Sequence, residues 1–477
     1  MRLTTSHLFE LILFLGLFAM TLRPVADPDF WWHLRAGQLI AETGVLPRAD
    51  PFSFTLPGKA WIAHEWLTEL AFFGLYQTGG FGLLILVFSL VITAAYLLVY
   101  LRSPGRPYAA GFALLLGALA SAPAWGVRPQ MVSLLFTAAF LYLLDRFQET
   151  SRWTTLLPLP FLTILWVNLH AGYFLGFAVI GIYIAGEAWP VLTAFLRRER
   201  PTTRSVLLLT LALAACLLAA LANPNTWHIL IYPFETLTSP SMMQFIQEWF
   251  SPDFHQVEWM PLAVLILALI AAPALARRPV SLTRVLLAVF FGFAALRSMR
   301  HVPLFALTAV PLLAAQLAGL TANRSTVEAP PRFARWLNPL LLGFVLLAVG
   351  LRFVSVLQEQ PKSEAEMYPK AATDWVIQNR PAGNLYNTYG WGGYLIWRLY
   401  PEYPVYIDGR ADVYGDEFIY DYLRIYTAQP GWEEKLESRG VTWVLVEADS
   451  AIAYALAESA SWENVYHDNQ AVIFVKK

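Results

Sequence analysis

About eleven stretches of mainly apolar residues, each long enough to cross a lipid bilayer, dominate this sequence. A transmembrane helix needs about 20 such residues, because the hydrocarbon core is about 30 Å thick. The predicted spans are 7–23, 79–101, 108–125, 130–146, 154–168, 173–191, 205–222, 259–276, 284–298, 302–320 and 338–357. The sequence therefore predicts an α-helical polytopic membrane protein, with a short lead-in helix at 65–77 before the second span.

Composition supports this prediction and excludes several classes of function. Of the 477 residues, 57% are hydrophobic and only 14% are charged, whereas a typical soluble protein carries about 25% charged residues. The net charge of −1 provides no basic field, so no nucleic-acid partner is predicted. The single cysteine, Cys216, excludes an intramolecular disulfide and a zinc site built from cysteines.

Arginine is concentrated in alternate short loops, and this asymmetry predicts the orientation. Positively charged residues favour the cytoplasmic side of a membrane protein. The residues are Arg102, Arg106, Arg146, Arg152, Arg197, Arg198, Arg200, Arg204, Arg277, Arg278, Arg284, Arg324, Arg332 and Arg335. All fall on one side if the first span runs outward, which predicts a cytoplasmic N-terminus and an extracytoplasmic C-terminus in the cytoplasmic (inner) membrane.

Three segments are then expected on the extracytoplasmic face: the loop 24–64, the loop 223–258 and the tail 361–477. In the tail the apolar runs shorten and charge rises. Strands are predicted at 384–389, 394–399, 405–407, 441–446 and 472–476, with helices at 366–379, 416–426, 430–439 and 450–460. Alternating strands and helices favour a small α/β domain, so the predicted division is a transmembrane domain, 1–360, and a soluble domain, 361–477.

The first loop places several charged side chains close together. Asp27 and Asp29 begin a helical pattern, His33 lies four residues after Asp29 on the same helical face, and Arg35 follows. One interpretation is an amphipathic helix on the bilayer surface, with Asp27 as its N-cap and Gly44 as its C-terminal stop. A capping residue explains one of these four side chains, so a functional site remains the second interpretation.

This loop and the general layout resemble the GT-C superfamily of membrane glycosyltransferases. The resemblance is closest over Asp27–Gly44, continues through Leu46–Thr55 and His64–Leu67, and is nearest to uncharacterised bacterial members. It implies a hexosyl- or pentosyltransferase that moves a sugar from a polyprenyl-phosphate carrier to an acceptor outside the cytoplasm. The implied partners are the lipid-linked sugar donor, membrane lipids and a glycan, lipid or protein acceptor. By the same resemblance Asp27 is the expected catalytic base.

Such a transfer needs a base for the acceptor hydroxyl, stabilisation of the leaving phosphate, and exclusion of water. Asp27 or Asp29 is suited to the first role. Carboxylate oxygens also suit hard cations, so Asp29 with His33 or Glu65 is a candidate site for Mg²⁺ or Mn²⁺. No other cofactor is expected.

Positive charge is rare on the predicted outer face, so the exceptions are candidate phosphate ligands. Arg297, Arg300 and His301 lie at the outer end of the ninth span, and Arg128 lies at the outer turn after the third. Arginine presents a fork that matches phosphate, although interfacial arginines also anchor to lipid head groups. His170, at the outer end of the fifth span, is a candidate sugar or metal ligand or a structural histidine.

Two other extracytoplasmic regions suit an acceptor. The loop 223–258 mixes acids and histidines with aromatic side chains, and the tail carries the glycine-rich run Asn387–Tyr394 followed by Asp408–Asp412. These features also suit an interfacial helix and tight turns. A transporter or flippase of lipid-linked glycans, or a non-catalytic scaffold, are the alternative functions. A transporter is expected to place charge near mid-bilayer, and here the polar groups collect at the outer ends.

Overall fold

The computed structural model describes residues 3–199, 202–276, 279–321 and 334–477. The helices are α1 (Thr5–Thr21), α2 (Phe30–Thr43), α3 (Trp66–Arg102), α4 (Tyr108–Ser121), α5 (Gln130–Thr150), α6 (Pro158–Leu169), α7 (Phe174–Leu196), α8 (Arg204–Ala220), α9 (His228–Leu237), α10 (Pro240–Phe245), α11 (Met260–Ala276), α12 (Leu282–Arg297), α13 (Val302–Thr321), α14 (Ala334–Met367), α15 (Lys370–Asn379), α16 (Gly392–Leu399), α17 (Ala411–Tyr426), α18 (Trp432–Ser438) and α19 (Ala451–Glu458). The strands are β1 (Asn384–Asn387), β2 (Val441–Glu447), β3 (Trp462–His467) and β4 (Ala471–Lys476).

Each of the predicted spans coincides with a helix: α1, α3 to α8 and α11 to α14. In the part of the chain that the structure describes, six helical stretches are long and apolar enough to cross a membrane: Trp66–Arg102, Gln130–Thr150, Ala171–Leu196, Val257–Ala276, Met299–Leu320 and Trp336–Met367. Helices α1, α4, α6 and α8 fall in shorter apolar stretches. The chain is thus a polytopic α-helical membrane protein. Of the arginines behind the predicted orientation, Arg200, Arg277, Arg278, Arg324 and Arg332 lie outside the described residues.

Helix α3 contains the break that the sequence predicts between a lead-in helix and the second span. Gly79 and Gly80 have non-helical backbone angles, and Gly80 has a φ of 57°. A positive φ is readily adopted only by glycine. The two glycines therefore allow the chain to change direction between the lead-in helix and the span.

The chain divides into two compact units. The first comprises Met1–Arg23, Ile85–Pro233 and Gln247–Val356. In it, Arg102 Nε lies 2.9 Å from Asp145 Oδ2, and the Tyr183 hydroxyl donates to the same carboxylate. This network connects α3, α5 and α7. Its charged groups are paired with each other, which lowers the free-energy cost of removing them from water.

The second unit comprises Pro24–Leu84, Phe234–Ile246 and Leu357–Lys477. Its strand order is β1-β2-β4-β3, with β1 and β2 parallel and the other two pairs antiparallel. Helices α15 to α19 alternate with these strands, so the tail has the predicted α/β architecture. The division into 1–360 and 361–477 stays a prediction, and the compact units group the first loop with the tail.

Three details of the tail differ from the sequence prediction. The segment predicted as a strand at 394–399 is helix α16, because its buried residues Leu395, Ile396 and Leu399 recur at helical spacing. The segment 405–407 makes only an isolated bridge between Val405 and Ser53. Strand β3 was not predicted, because its alternation is weak and most of its residues are exposed or half-buried.

Aromatic packing and main-chain bonds join the first loop to the tail inside the second unit. The Trp31 ring lies 5.0 Å from Tyr394 and 5.6 Å from Tyr368, each nearly edge to face. A β-carbon on Gly393 would lie 2.6 Å from the carbonyl oxygen of Pro28, so the glycine allows α16 to approach the start of α2. The loop 24–64 is therefore part of a folded body with the tail.

Candidate active site

The start of α2 holds the two acids of the first loop. The first helical residue is Phe30 and Asp29 occupies the N-cap position, so the predicted N-cap at Asp27 is wrong by two residues. Asp27 Oδ1 instead accepts the N–H of Asp29 at 2.9 Å, which forms a local turn ahead of the helix. Asp29 Oδ1 accepts the Trp32 indole N–H at 3.0 Å. Both aspartates are half-buried.

Helix α2 ends where the sequence predicts. Gly44 has a φ of 68°, and its N–H donates to the carbonyl oxygen of Ile40 at 2.9 Å. A left-handed glycine is a common end of a helix. The two aspartates therefore lie immediately before a helix with a defined start and end.

Gly409 of the tail lies directly against the carboxylate of Asp29. A β-carbon at this position would lie 1.7 Å from Asp29 Oδ1, which no side chain permits. The Tyr389 hydroxyl donates to the Gly409 carbonyl oxygen at 3.2 Å and holds the turn. Both tail motifs that the sequence singled out, Asn387–Tyr394 and Asp408–Asp412, therefore pack around the start of α2.

Arg410 holds this turn in place from inside the protein. Its guanidinium is buried, and it binds Asp408 through Nη2 at 2.6 Å and Nε at 2.8 Å and Asp50 through Nη1 at 2.8 Å. Burial lowers the pKa of Arg410, but the charge of Asp408 outweighs this and raises the pKa well above its usual range. The guanidinium also lies 4.8 Å from the Trp61 ring. A fully charged arginine therefore joins the first loop to the tail.

His33 is buried under the same helix, between two glutamates. Its Nε2 lies 3.3 Å from Glu65 Oε2, and its Nδ1 lies 3.4 Å from Glu69 Oε1. Burial lowers the pKa of His33, but the hydrogen bond to Glu69 and the charge of Glu65 outweigh it, so the pKa is raised. Both ring nitrogens are occupied. This geometry does not fit the predicted role of His33 as a ligand for a metal or for phosphate.

Glu65 continues the network to a second histidine. Its Oε1 lies 3.3 Å from His64 Nε2. Burial lowers the pKa of His64, but Glu65 raises it to about 9, with a further contribution from Asp412. Glu65 therefore pairs with two histidines beneath α2, an arrangement that suits a charged support of the helix, and its predicted substrate contact stays a prediction.

The side chains do not fit the predicted divalent-cation site. Within residues 3–199, 202–276, 279–321 and 334–477, no three His, Cys, Asp or Glu side chains converge in an arrangement suited to a metal ion. The His33 nitrogens are engaged by glutamates, and Asp29 Oδ1 accepts an indole N–H.

Arg35 contacts the tail. Its Nη2 donates to the carbonyl oxygen of Tyr400 at 2.8 Å, and its Nη1 donates to Gln38 Oε1 at 2.6 Å. The guanidinium also lies 5.3 Å from the centre of the Tyr400 ring. Arg35 thus uses its fork to hold α2 on the tail, in place of the phosphate that the sequence suggested.

A second charged cluster lies in the first unit. Arg128 forms an ion pair with Glu248, and the Arg300 guanidinium lies 4.8 Å above the Trp249 ring. His301 lies beside the same ring at 6.3 Å. Burial raises the pKa of Glu248, but Arg128 and Arg300 outweigh it and lower the pKa. Two of the predicted phosphate ligands, Arg128 and Arg300, therefore act on one carboxylate, and His301 lies beside the neighbouring Trp249 ring.

Arg297 and His170 occupy different environments. Arg297 is exposed at the end of α12. His170 is buried, and its Nδ1 accepts the Gly172 N–H at 2.8 Å and lies 2.6 Å from Ser133 Oγ. Ser133 Oγ in turn accepts the Trp166 indole N–H at 2.7 Å. The His170 ring therefore closes a turn between α6 and α7.

Sequence reasoning assigned no individual role to Asp50, Glu69 or Arg410 and missed the contact of Gly409 with Asp29. One local signal was available: Glu69 follows Glu65 by four residues, which places both on one face of a helix. The other residues pair across positions that are far apart in the sequence. No local pattern reveals such pairs.

Comparison with known proteins finds likeness in structure alone. No family model and no curated protein matches the sequence. The chain is similar to the oligosaccharyltransferase AglB from Archaeoglobus fulgidus, solved with an inhibitory peptide and a dolichol-phosphate, with 12% identity and a TM-score of 0.56 over 93% of this chain and 69% of that chain. It is also similar to apo ArnT from Cupriavidus metallidurans, with 16% identity and a TM-score of 0.51 over 96% of both chains.

Because the sequence identities are this low, the structural similarity shows a shared fold and nothing more specific. The fold covers nearly the whole of this chain, including both the bundle of apolar helices and the tail. It is the architecture that the first-loop resemblance implied. The chain therefore has the fold of the GT-C superfamily of membrane glycosyltransferases.

Proposed function

We propose that this protein is a glycosyltransferase that moves a sugar from a polyprenyl-phosphate carrier to an acceptor on the extracytoplasmic side of the membrane. The observation that carries the proposal is the packing of the Asp29 carboxylate against Gly409, beside a buried arginine that fixes the turn. Two half-exposed aspartates held together beside a buried arginine favour a chemical role. AglB, which has the same fold, was solved with a dolichol-phosphate.

Asp27 is the proposed general base. The Asp29 N–H donates to Asp27 Oδ1 at 2.9 Å, and this bond orients the Asp27 carboxylate. Asp27 accepts the proton of an acceptor hydroxyl as the hydroxyl oxygen forms a bond to the anomeric carbon of the donor sugar. The bond between that carbon and the phosphate oxygen breaks, and the phosphate leaves with the electron pair.

Asp29 has a different proposed role. Its carboxylate is fixed by the Trp32 indole and by the close approach of Gly409. A fixed negative charge stabilises the positive charge that develops on the sugar ring in the transition state. Asp29 therefore acts through its field, and its main chain positions the base.

The arginine cluster of the first unit is a proposed site for the phosphate of the lipid carrier. Arg128 and Arg300 both act on the Glu248 carboxylate, so this cluster already binds an anionic group. Charge-assisted bonds from guanidinium to a phosphate oxygen are about twice as strong as bonds between neutral groups. Arg297 and His301 are proposed to contribute at the same end of the ninth span.

The test is sugar transfer by purified membranes that carry Asp27→Asn, Asp29→Asn or both, with a radiolabelled polyprenyl-phosphate sugar as donor. Loss of a general base lowers a rate by roughly 10²- to 10⁴-fold, so Asp27→Asn is expected to abolish detectable transfer. Glu42→Gln is the matched control, because Glu42 is an exposed acid on the same helix. Transfer at the wild-type rate by the double variant would show that neither aspartate is the base.

A further inference from the structure

The carboxylate of Glu248 occupies a position suited to a phosphate. It belongs to the turn Gln247–Trp249, where it pairs with Arg128 and lies within the field of Arg300. The fork of a guanidinium binds carboxylate and phosphate oxygens with the same geometry. A phosphate is therefore able to replace the Glu248 carboxylate as the anion bound to Arg128.

The turn is held in place by bonds that do not involve this carboxylate. The Ser298 hydroxyl donates to the carbonyl oxygen of Glu248 at 2.8 Å, and the Met299 N–H donates to the carbonyl oxygen of Phe250 at 2.9 Å. The Arg300 guanidinium packs on the Trp249 ring. These contacts use main-chain atoms and the aromatic face, so the Glu248 side chain is able to rotate away from Arg128 without release of the turn.

The pair is also accessible from outside. The side chain of Glu248 is 35% exposed and that of Arg128 is 16% exposed. An ion pair that solvent reaches contributes little to stability. A carboxylate and the phosphodiester of a lipid-linked sugar each carry one negative charge, whereas the phosphate monoester of the spent carrier carries about 1.5 to 2 at neutral pH. Exchange of Glu248 for the donor phosphate therefore costs little, and the spent carrier would bind Arg128 more strongly than the donor does if Glu248 did not compete with it.

We propose that Glu248 is an internal counter-ion that occupies the phosphate site of Arg128 and is displaced by the phosphate of a polyprenyl lipid. The inference rests on the proposed lipid-phosphate donor and adds that binding is a competition between Glu248 and the ligand. This competition lowers the affinity of the protein for the carrier, because Glu248 returns to Arg128 as the phosphate leaves. The acid thereby favours release of the spent carrier after each transfer.

Binding of a polyprenyl monophosphate in detergent micelles to the purified full-length protein tests this inference. Removal of one competing, partly exposed charge is expected to tighten the Kd by about two- to fivefold in Glu248→Gln. Asp253→Asn is the matched control, because Asp253 is a half-exposed acid on the same loop that pairs with His255 at 2.9 Å. This control is expected to keep the wild-type Kd, and Arg128→Gln is expected to lose binding.

An unchanged or weaker Kd in Glu248→Gln would overturn the inference, since the carboxylate would then support the site and not compete for it. Glu248→Ala serves the same purpose if the glutamine variant does not fold, as judged by its thermal unfolding. Inorganic phosphate forms the second arm. Binding of inorganic phosphate as tight as that of the lipid would also overturn the inference, because the site would then be a general anion site.

The binding measurement is independent of sugar transfer. If the two aspartate variants transfer sugar normally while Glu248→Gln tightens binding, the assigned base is wrong and the counter-ion stands. If the aspartate variants lose transfer while Glu248→Gln leaves the Kd unchanged, the assignment of the base is supported and the assignment of Glu248 as a counter-ion is wrong. The two proposals are therefore separable with the same set of proteins.

Discussion

At the scale of single residues, Gly409 is the position where the smallest change has the clearest consequence. A β-carbon there would lie 1.7 Å from Asp29 Oδ1, so Gly409→Ala is expected to displace the carboxylate. A shift of about 1 Å in a catalytic group lowers a rate by roughly 100-fold. We therefore expect a loss of sugar transfer of about that size, measured with the same lipid-linked donor.

Gly390→Ala is the control for this prediction. Gly390 lies in the neighbouring glycine-rich run, and no atom lies within 4 Å of the β-carbon that alanine would add. This variant is expected to transfer sugar as the wild type does. Equal activities of the two variants, with equal thermal unfolding, would mean that the position of the Asp29 carboxylate does not matter for transfer.

Arg410 shows why a charged residue is buried in this tail. It binds two carboxylates, Asp408 and Asp50, and lies over the rings of Trp61 and Phe52. A buried ion pair seldom stabilises a protein more than well-packed apolar residues would. Its value here is geometric, because a forked contact with Asp408, a single contact with Asp50 and the two ring contacts hold the turn that contains Gly409 in one orientation.

At the scale of elements, the support beneath α2 depends on the protonated form of His64. The pKa of His64 rises from 6.5 to about 9 in the folded protein, because the charge of Glu65 outweighs burial. Below about pH 6.5 both the folded and the unfolded chain bind this proton, and the stabilisation is fully present. Between pH 6.5 and about 9 the unfolded chain releases the proton first, so stability falls. His33, whose pKa is also raised, contributes with the same sign.

Thermal unfolding of the purified protein between pH 6 and 10 measures this effect. The Tm of the wild type is expected to fall as the pH rises from 6.5 to 9, and the slope is expected to be smaller in His64→Gln. His255→Gln is the control, because His255 is an exposed histidine on another loop. The same slope in His64→Gln and in the wild type would rule out His64 as the titrating group. The comparison concerns slopes, since the charged neighbours Glu65, Glu69 and Asp412 remain in both proteins.

The elements themselves were predictable to different degrees. The apolar spans follow from hydrophobicity because each must satisfy its own backbone in lipid, and every predicted span coincides with a helix. In the tail, a short apolar run is compatible with either a strand or a buried helix. Segment 394–399 illustrates this ambiguity: it forms the end of α16, and its packing against α2 decides the outcome.

At the scale of the whole molecule, the resemblance in the first loop correctly predicted the GT-C fold, whereas the surroundings of the two aspartates were not predictable. The aspartates and the start of α2 are local features that a sequence displays. Gly409, Arg410 and Asp50 meet them only because the tail and the first loop fold as one unit. Pairings between distant segments depend on tertiary packing, which a single sequence does not specify.

The orientation in the membrane is the largest remaining prediction, and the chain offers a simple way to measure it. Cys216 is the only cysteine and it is buried, so Cys216→Ala provides a background without thiols. Arg152→Cys and Glu463→Cys each add one thiol at an exposed position, the first in an arginine-rich loop and the second in the tail. Because arginine-rich loops remain in the cytoplasm, a membrane-impermeant maleimide is expected to label only the Glu463→Cys protein in intact cells. Permeabilised cells are expected to label both. Labelling of the Arg152→Cys protein alone in intact cells would show the opposite orientation. The two aspartates would then lie on the cytoplasmic side, which contradicts the proposed extracytoplasmic transfer.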